Sequence, residues 1–395
     1  MRKRCRCGHC IMPPHILRKL IESKNPELRA AALNTMLSTE RLRGERSIRA
    51  LATLATAPAD GRRTIYDCRQ STNLASSVLS RAEGGQPVAD ATVNRAYDGF
   101  GATRDFYAKV LDRNSADGKG APLNGYVHRG VKFNNAFWDG QEMIFGDGDG
   151  IVLTDLTKSL DVIAHELTHG VTDNAAGLEY HTQSGALNES ISDVFGSLVK
   201  QWSLNQTADQ ADWLIGADVW TPAVQGDALR SLKNPGSAYD DPELGTDPQP
   251  DHIGKYVRLP DNEDGDNGGV HINSGIPNKA FYLAATGIGG HAWEAAGRIW
   301  YESLLASGAT TQFQDFADTT FMKAGQIYGP SSAQQSAVRD AWDGVGIRVG
   351  GTASAVAGAT MAGGDLAPLV ASIDALSKKI AVLATDVETL KPRKT

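Results

Sequence analysis

The sequence predicts an α+β fold, with a β-rich N-terminal half and a mainly α-helical C-terminal half. Between about residues 64 and 155, short β-prone runs such as Thr64-Ile65-Tyr66, Gly125-Tyr126-Val127-His128 and Glu142-Met143-Ile144-Phe145 are broken by Gly and Asp. From 158 onward, apolar residues recur at helical spacing over long stretches. The chain has 395 residues, 41% hydrophobic and 22% charged, which is the mixture of a core-forming protein with room for two packed domains.

Taken in order, residues 1–55 form a basic front segment. Ile16, Leu17, Leu20, Ile21, Leu28, Leu33 and Leu37 give a helical pattern over 14–40 that Asn25-Pro26 interrupts. A small-residue stretch at 50–63 marks a boundary. Residues 56–157 make the β-rich unit, with one helical run near 89–113, and 158–349 the helical unit, with loops rich in Pro, Asp and Gly at 221–269. Residues 350–364, mostly Gly, Ala, Ser and Thr, read as a linker because they offer little to bury. In 365–395, Leu369, Ile373, Leu376, Ile380, Leu383, Val387 and Leu390 alternate by four and three, a heptad seam of about three repeats. This tail either pairs with a second copy, making a homo-oligomer, or is a single amphipathic helix that docks on its own body or simply frays.

Charge is unevenly placed. The first 50 residues carry 12 Lys and Arg against 4 Glu, whereas the rest carries 27 bases against 42 acids. An acidic body excludes nucleic acid as a natural partner, since phosphate binding rests on clustered basic charge. No run of about 20 apolar residues offers a membrane span, and the basic start Met1–Arg6 is not followed by the apolar stretch of a conventional export signal. All four cysteines, Cys5, Cys7, Cys10 and Cys68, lie in the first 68 positions, so disulfides cannot staple the body. Cys5, Cys7, His9 and Cys10 sit too close for an easy tetrahedral site, and reactive or unpaired thiols are the preferred reading.

The chemistry begins at His165-Glu166-Leu167-Thr168-His169. Residues four apart share a helix face, so His165 and His169 can present two imidazoles to one metal ion with Glu166 beside it. Twenty residues on, a second helical pattern carries Glu189 and Asp193. Glu189 completes a His, His, Glu set that leaves the fourth zinc position to water, the arrangement of a catalytic site. Asp193, one turn further, can accept the other N–H of a ligating imidazole, that of His165.

Together with Gly177-Leu178-Glu179-Tyr180, Asn135-Ala136-Phe137-Trp138 and Asp266-Asn267-Gly268-Gly269-Val270-His271, these motifs resemble the thermolysin-like zinc metalloendopeptidases over roughly residues 64–349. The resemblance implies zinc in a cleft between the two halves, with Glu166 as general base and then acid. His271 and Tyr180 would be oxyanion donors, and Asp266 the acid that orients His271. Asn135 and Ala136, with Phe137 and Trp138 in the same motif, would hold the peptide substrate. Arg230 would contact a substrate carbonyl and border an S1' pocket lined by Val162 and Leu229. Leu153 and Leu156 line the same pocket or belong to the core. Such a pocket implies cleavage on the amino side of large hydrophobic residues.

The resemblance also has departures. Positions similar to those of the family's paired calcium site carry Lys200, Leu214 and Ala217, with Asp161 and Asp212 remaining, so the double-calcium site is predicted absent and the Lys200 ammonium to replace it. Trp220–Asp227 resembles a second calcium loop and leaves a single Ca2+ open. The front, with Pro13, Pro14 and Leu17 in Ile11-Met12-Pro13-Pro14-His15-Ile16-Leu17, looks like the short propeptide of the protealysin subgroup and implies a latent precursor whose own propeptide plugs the cleft in cis, partly by charge. Secretion follows from the family, by a non-conventional route, with cytoplasmic residence as the alternative. The competing function is an inactive or plugged peptidase body that acts as a binding or assembly protein through its tail.

Overall fold

The computed structural model describes residues 9–49 and 60–349, with the side chains of His9 and of 43–49 left aside. The linker, the heptad tail, Cys5 and Cys7 lie outside the described residues. The front segment gives a short strand β1 (His9–Cys10) and helices α1 (Pro14–Ile21) and α2 (Pro26–Arg49), so the break expected at Asn25-Pro26 is real. Pro13 caps α1 in an extended conformation and Pro14 opens it, where a missing N–H is harmless. The β-rich unit follows as β2 (Arg63–Asp67), β3 (Val78–Ala82), α3 (Ala91–Leu111), β4 (Leu123–Val127), β5 (Ala136–Trp138) and β6 (Glu142–Phe145). Asp90 starts α3 by accepting from the Thr92 amide at 2.9 Å.

The helical unit comprises α4 (Leu160–Asn174), α5 (Thr182–Leu204), α6 (Asp266–Asn273), α7 (Gly275–Ile288), α8 (Ala296–Ala306), α9 (Phe313–Tyr328) and α10 (Ala333–Gly344). Between α5 and α6, a small ribbon pairs β7 (Leu214–Ile215) with β8 (Arg230–Ser231).

Six strands form one sheet in the order β1-β5-β6-β4-β2-β3. Strands β2, β4 and β6 run parallel, whereas β5 and β1 continue antiparallel on one side and β3 on the other. Without β1, β5 would be an edge.

One continuous apolar core joins the halves, from Ile65, Phe100 and Phe145 to Phe195, Trp300 and Trp342. Ile11, Met12, Ile16, Leu17, Leu20 and Leu28 of the front segment belong to the same core. α4 and α5 are buried on nearly every side, their histidines, carboxylates and hydroxyls included. Their approach is close: a Cβ on Gly196 would lie 2.6 Å from the Asp161 carbonyl oxygen, so only glycine lets α5 press onto α4.

Candidate active site

Helix periodicity brings the two histidines together as expected. His165 and His169 are fully buried on α4, with their Nε2 atoms 3.0 Å apart. Glu189 reaches them from α5, its Oε2 3.5 Å from His165 Nε2 and its Oε1 3.5 Å from His169 Nε2. Among the described residues, these three side chains offer ligand atoms within 4.8 Å of one another.

The donor chemistry fits a cation. His169 Nδ1 faces Asn188 Oδ1 at 2.9 Å and Ser192 Oγ at 3.0 Å, and His165 Nδ1 lies 2.8 Å from Asp193 Oδ1. Each ring thereby keeps its proton on Nδ1 and turns the Nε2 lone pair inward. Two lone pairs and a buried carboxylate aimed at one point repel unless a positive ion sits among them, and Glu189 Oε2 has no hydrogen-bond donor of its own.

The groups around this triad are equally buried. Glu166 is 0% exposed and neither carboxylate oxygen has a well-formed hydrogen bond, although the Trp138 amide favours its charged form. Burial, then the neighbouring Cys10 and Glu189, push its pKa well above the usual carboxylate range. Tyr180 directs its hydroxyl to Glu189 Oε1 and lies 3.2 Å from His271 Nε2.

Asp266 grips His271 twice, accepting from its Nδ1 at 2.6 Å and from its amide at 2.9 Å. Burial works against a charge on His271, but Asp266 and then Glu189 hold its pKa well above the ordinary value. The grip needs a left-handed run over Asp266, Asn267, Gly268 and Gly269 at the start of α6, and Asp, Asn and Gly are the residues that adopt it most readily.

Asp193 also receives Arg230 in a two-pronged pair, Nε to Oδ2 and Nη2 to Oδ1, both at 2.8 Å, and the Asn278 amide at 2.9 Å. Against the burial penalty, Arg230 and then His165 keep Asp193 well below the usual range. Asn278 and Asn188 escaped the sequence reading of roles; Asn188 lies inside the motif around Glu189, whereas nothing local marks Asn278.

A family model described as "Thermolysin metallopeptidase, catalytic domain" matches residues 52–173, and one described as "Thermolysin metallopeptidase, alpha-helical domain" matches 176–347. The chain belongs to the thermolysin metallopeptidase family. Similar proteins include an "Extracellular metalloprotease" of Pectobacterium carotovorum subsp. carotovorum, 46% identical over 341 residues that cover 86% of this chain and 96% of the relative. "Protease PrtS" of Photorhabdus sp. (strain Az29) is 42% identical over 86% of this chain and 92% of its own. Among solved structures, the precursor of protealysin from Serratia proteamaculans matches with a TM-score of 0.77 and 46% identity, over 86% of this chain and 99% of that one. As a thermolysin-family metallopeptidase, the protein is a metalloendopeptidase acting on peptides or proteins, and the His165, His169, Glu189 set supports zinc.

In this thermolysin-family protein the cleft holds the chain's own front. Strand β1 pairs antiparallel with β5, Cys10 opposite Phe137, and Ile11 and Met12 are fully buried. His271 Nε2 donates to the Cys10 carbonyl at 2.8 Å, and Arg230 Nη1 to the Ile11 carbonyl at 2.9 Å. The Ile11 amide donates to the Ala136 carbonyl at 3.1 Å and the Met12 amide to Asn135 Oδ1 at 3.2 Å. Trp138 packs on α4, where a Cβ at Gly170 would come within 3.0 Å of its ring, and Phe137 turns to the opposite face with Phe133 and Ile144. Leu153, Leu156, Val162 and Leu229 are all buried in the main core.

Among the described residues, the front segment meets the body through both ion pairs and apolar contacts. Lys132 of the body pairs with Glu27 of α2 at 2.8 Å, the reverse of the expected polarity. Apolar burial of α1, Ile11 and Met12 and the backbone hydrogen bonds of β1 also anchor it. Lys200 Nζ lies 3.1 Å from Asp161 Oδ2 and 2.8 Å from Asp212 Oδ2, inside the acid pair that remains there. The Thr221 hydroxyl donates to the Ile151 carbonyl at 2.6 Å.

Proposed function

We propose that the protein is made as a latent precursor, and that once relieved of residues 1 to about 55 it cleaves peptide bonds on the amino side of large hydrophobic residues. The observation that carries this reading is the extended segment Cys10–Met12, which occupies His271, Arg230, Ala136 and Asn135 at once with Ile11 fully buried. A substrate needs the same four groups, so the two cannot bind together. Pro13 and Pro14 stiffen the exit from the cleft and Leu17 anchors α1 in the core.

His165, His169 and Glu189 would hold zinc, which when bound would supply Lewis acidity and a water of lowered pKa. Glu166, kept proton-hungry by burial, takes the proton of the attacking water and delivers it to the leaving amine. His271 and Tyr180 donate to the oxygen of the scissile carbonyl as negative charge builds there, and Asp266 fixes the His271 ring for that task. Asp193 orients His165 and ties it to Arg230, which grips the next carbonyl of the substrate. Val162 and Leu229 form the apolar lining that selects the residue after the cut.

Lys200 supports the absence of a double-calcium site, because its ammonium already neutralises Asp161 and Asp212. Thr221, engaged with Ile151, gives no support to a single calcium in its loop. Relatives named extracellular support secretion, and among the described residues no helix is long and apolar enough to cross a membrane.

The test is a peptide-library digest by the protein before and after loss of the front segment. Activity should appear only after that loss, with Leu, Ile or Phe following the cut. Equal activity in both samples, or cleavage dominated by Lys or Asp at that position, refutes the proposal. Sedimentation with and without 365–395 tests self-association through the tail, and equal masses exclude it.

A further inference from the structure

We propose that the precursor hydrolyses its own Cys10–Ile11 bond, and that the clipped chain stays plugged. This rests on the peptidase reading above.

The four backbone contacts of the front segment fix both its direction and its register. His271 is a group placed to steady the oxygen of a carbonyl under attack, and the oxygen it holds is that of Cys10, at 2.8 Å. The next carbonyl, Ile11, goes to Arg230, and the amide that would become the leaving amine, Ile11 N–H, goes to the Ala136 carbonyl. One residue on, the Met12 amide meets Asn135. A segment bound backwards, or slipped by one residue, would present an amide where His271 needs an oxygen, because successive groups alternate along an extended chain. The register therefore sets the Cys10 carbonyl at the reactive position, with an apolar residue, Ile11, just after it, as the specificity reading requires. Glu166 is fully buried and lies near enough to the Cys10 side chain to interact with it electrostatically.

The step balances with water alone. Water adds to the Cys10 carbonyl carbon, the C–N bond to Ile11 breaks, and both water protons end on the nitrogen, the first by way of Glu166 and the second from the newly formed carboxyl group. The products are a Cys10 carboxylate and an Ile11 ammonium.

Release does not follow from the cut. Everything from Ile11 to α2 remains attached through the buried Ile11, Met12, Ile16, Leu17, Leu20 and Leu28, and through Arg18 Nη2 to the Glu263 carbonyl at 3.0 Å, Asn34 Nδ2 to the Val131 carbonyl at 3.0 Å and the Asn134 amide to Thr35 Oγ1 at 2.9 Å. A product tethered in this way keeps the cleft closed until the chain is also cut beyond α2.

The experiment incubates the zinc-loaded, full-length protein and follows it by intact mass and N-terminal sequencing, with a furylacryloyl peptide assayed on the same samples. The expected result is a new N-terminus beginning Ile11-Met12-Pro13, formed at a rate independent of dilution and before hydrolysis of the reporter rises. Glu166→Gln should keep the bond intact while retaining the wild-type melting profile. Ile11→Leu should be cut and Ile11→Asp slowed by about 100-fold or more, since an apolar pocket rejects a charge at least as strongly as a wrong-sized side chain. Hydrolysis of the reporter while the Cys10–Ile11 bond persists overturns the inference and leaves the peptidase reading standing. Equal cutting of Ile11→Asp and wild type overturns the register. No hydrolysis of either bond or reporter sinks the reading and the inference together.

Discussion

Replacing Lys200 tests the claim that a lysine stands in for a metal cage. Its ammonium bridges Asp161, which is 0% exposed, and Asp212, which is 45% exposed, while the lysine side chain is itself only 15% exposed. Burial alone would lower its pKa, yet Asp161 and Asp212 raise it, so the group is charged at neutral pH. Removing one partner of a buried ion pair costs about 3–5 kcal/mol. Here Asp161 keeps donors from Ser159 Oγ at 2.6 Å and the Gly216 amide at 3.0 Å, and Asp212 is half in water. Lys200→Met should therefore lose about 2–3 kcal/mol, a drop of roughly 4–12 °C at about 2–4 °C per kcal/mol.

Lys200→Glu goes further, because it places a third carboxylate among the other two. It should be less stable than Lys200→Met in calcium-free buffer and recover with added calcium, by about 2.7 kcal/mol at 100 times the dissociation constant. Calorimetry at one scan rate, with and without calcium, reads both effects. A wild-type protein that calcium stabilises by several degrees, or a Lys200→Met variant that melts with wild type, refutes the substitution of ammonium for metal.

Three further outcomes follow from the geometry. His128, half-buried between Asp147 and Asp90 at 2.8 and 2.9 Å, has its pKa raised from 6.5 to about 9. A raised folded-state pKa gives stability that is full below about 6.5 and lost as pH climbs through 9, so wild type should weaken by about 1–2 kcal/mol across that window. His128→Asn, which accepts the left-handed backbone at this position, should flatten the loss; identical pH profiles of unfolding would contradict it. Arg230→Lys keeps the charge and forfeits the two-pronged grip on Asp193, so kcat/KM should fall about 10- to 100-fold with zinc content unchanged, and an unaltered value refutes its role. Asn188→Ala removes one of the two partners of His169 Nδ1 and leaves Ser192, and zinc affinity by competition with a chromophoric chelator should weaken by up to about 10- to 100-fold; an unchanged affinity refutes the role of Asn188.

The zinc set was legible because it is local. His165 and His169 are four apart on a helix, and Glu189 stands within one short motif on the next. The helices from 158 onward and strands β2, β4 and β6 were legible from pattern for the same reason. Strand β3 was not, because it leaves Val78 and Leu79 exposed, the reverse of what apolar residues announce. Neither was the join of β1 to β5, where Cys10 meets a partner 127 positions away whose three residues are all buried. Asn278 on Asp193, 85 positions apart, likewise leaves no periodic trace. The basic composition of the front says where a segment is drawn and not what it packs against, so the apolar contacts of Ile11, Met12 and Leu17 had to come from the structure.

Strand β5 has a further consequence once β1 has gone. Its open side can be joined only by a stretch of polypeptide whose own amides and carbonyls are unclaimed, which rules out intact helices and paired strands. The enzyme would then sense local melting before it senses sequence, and well-folded bystanders, its own mature body among them, would survive beside victims that fray.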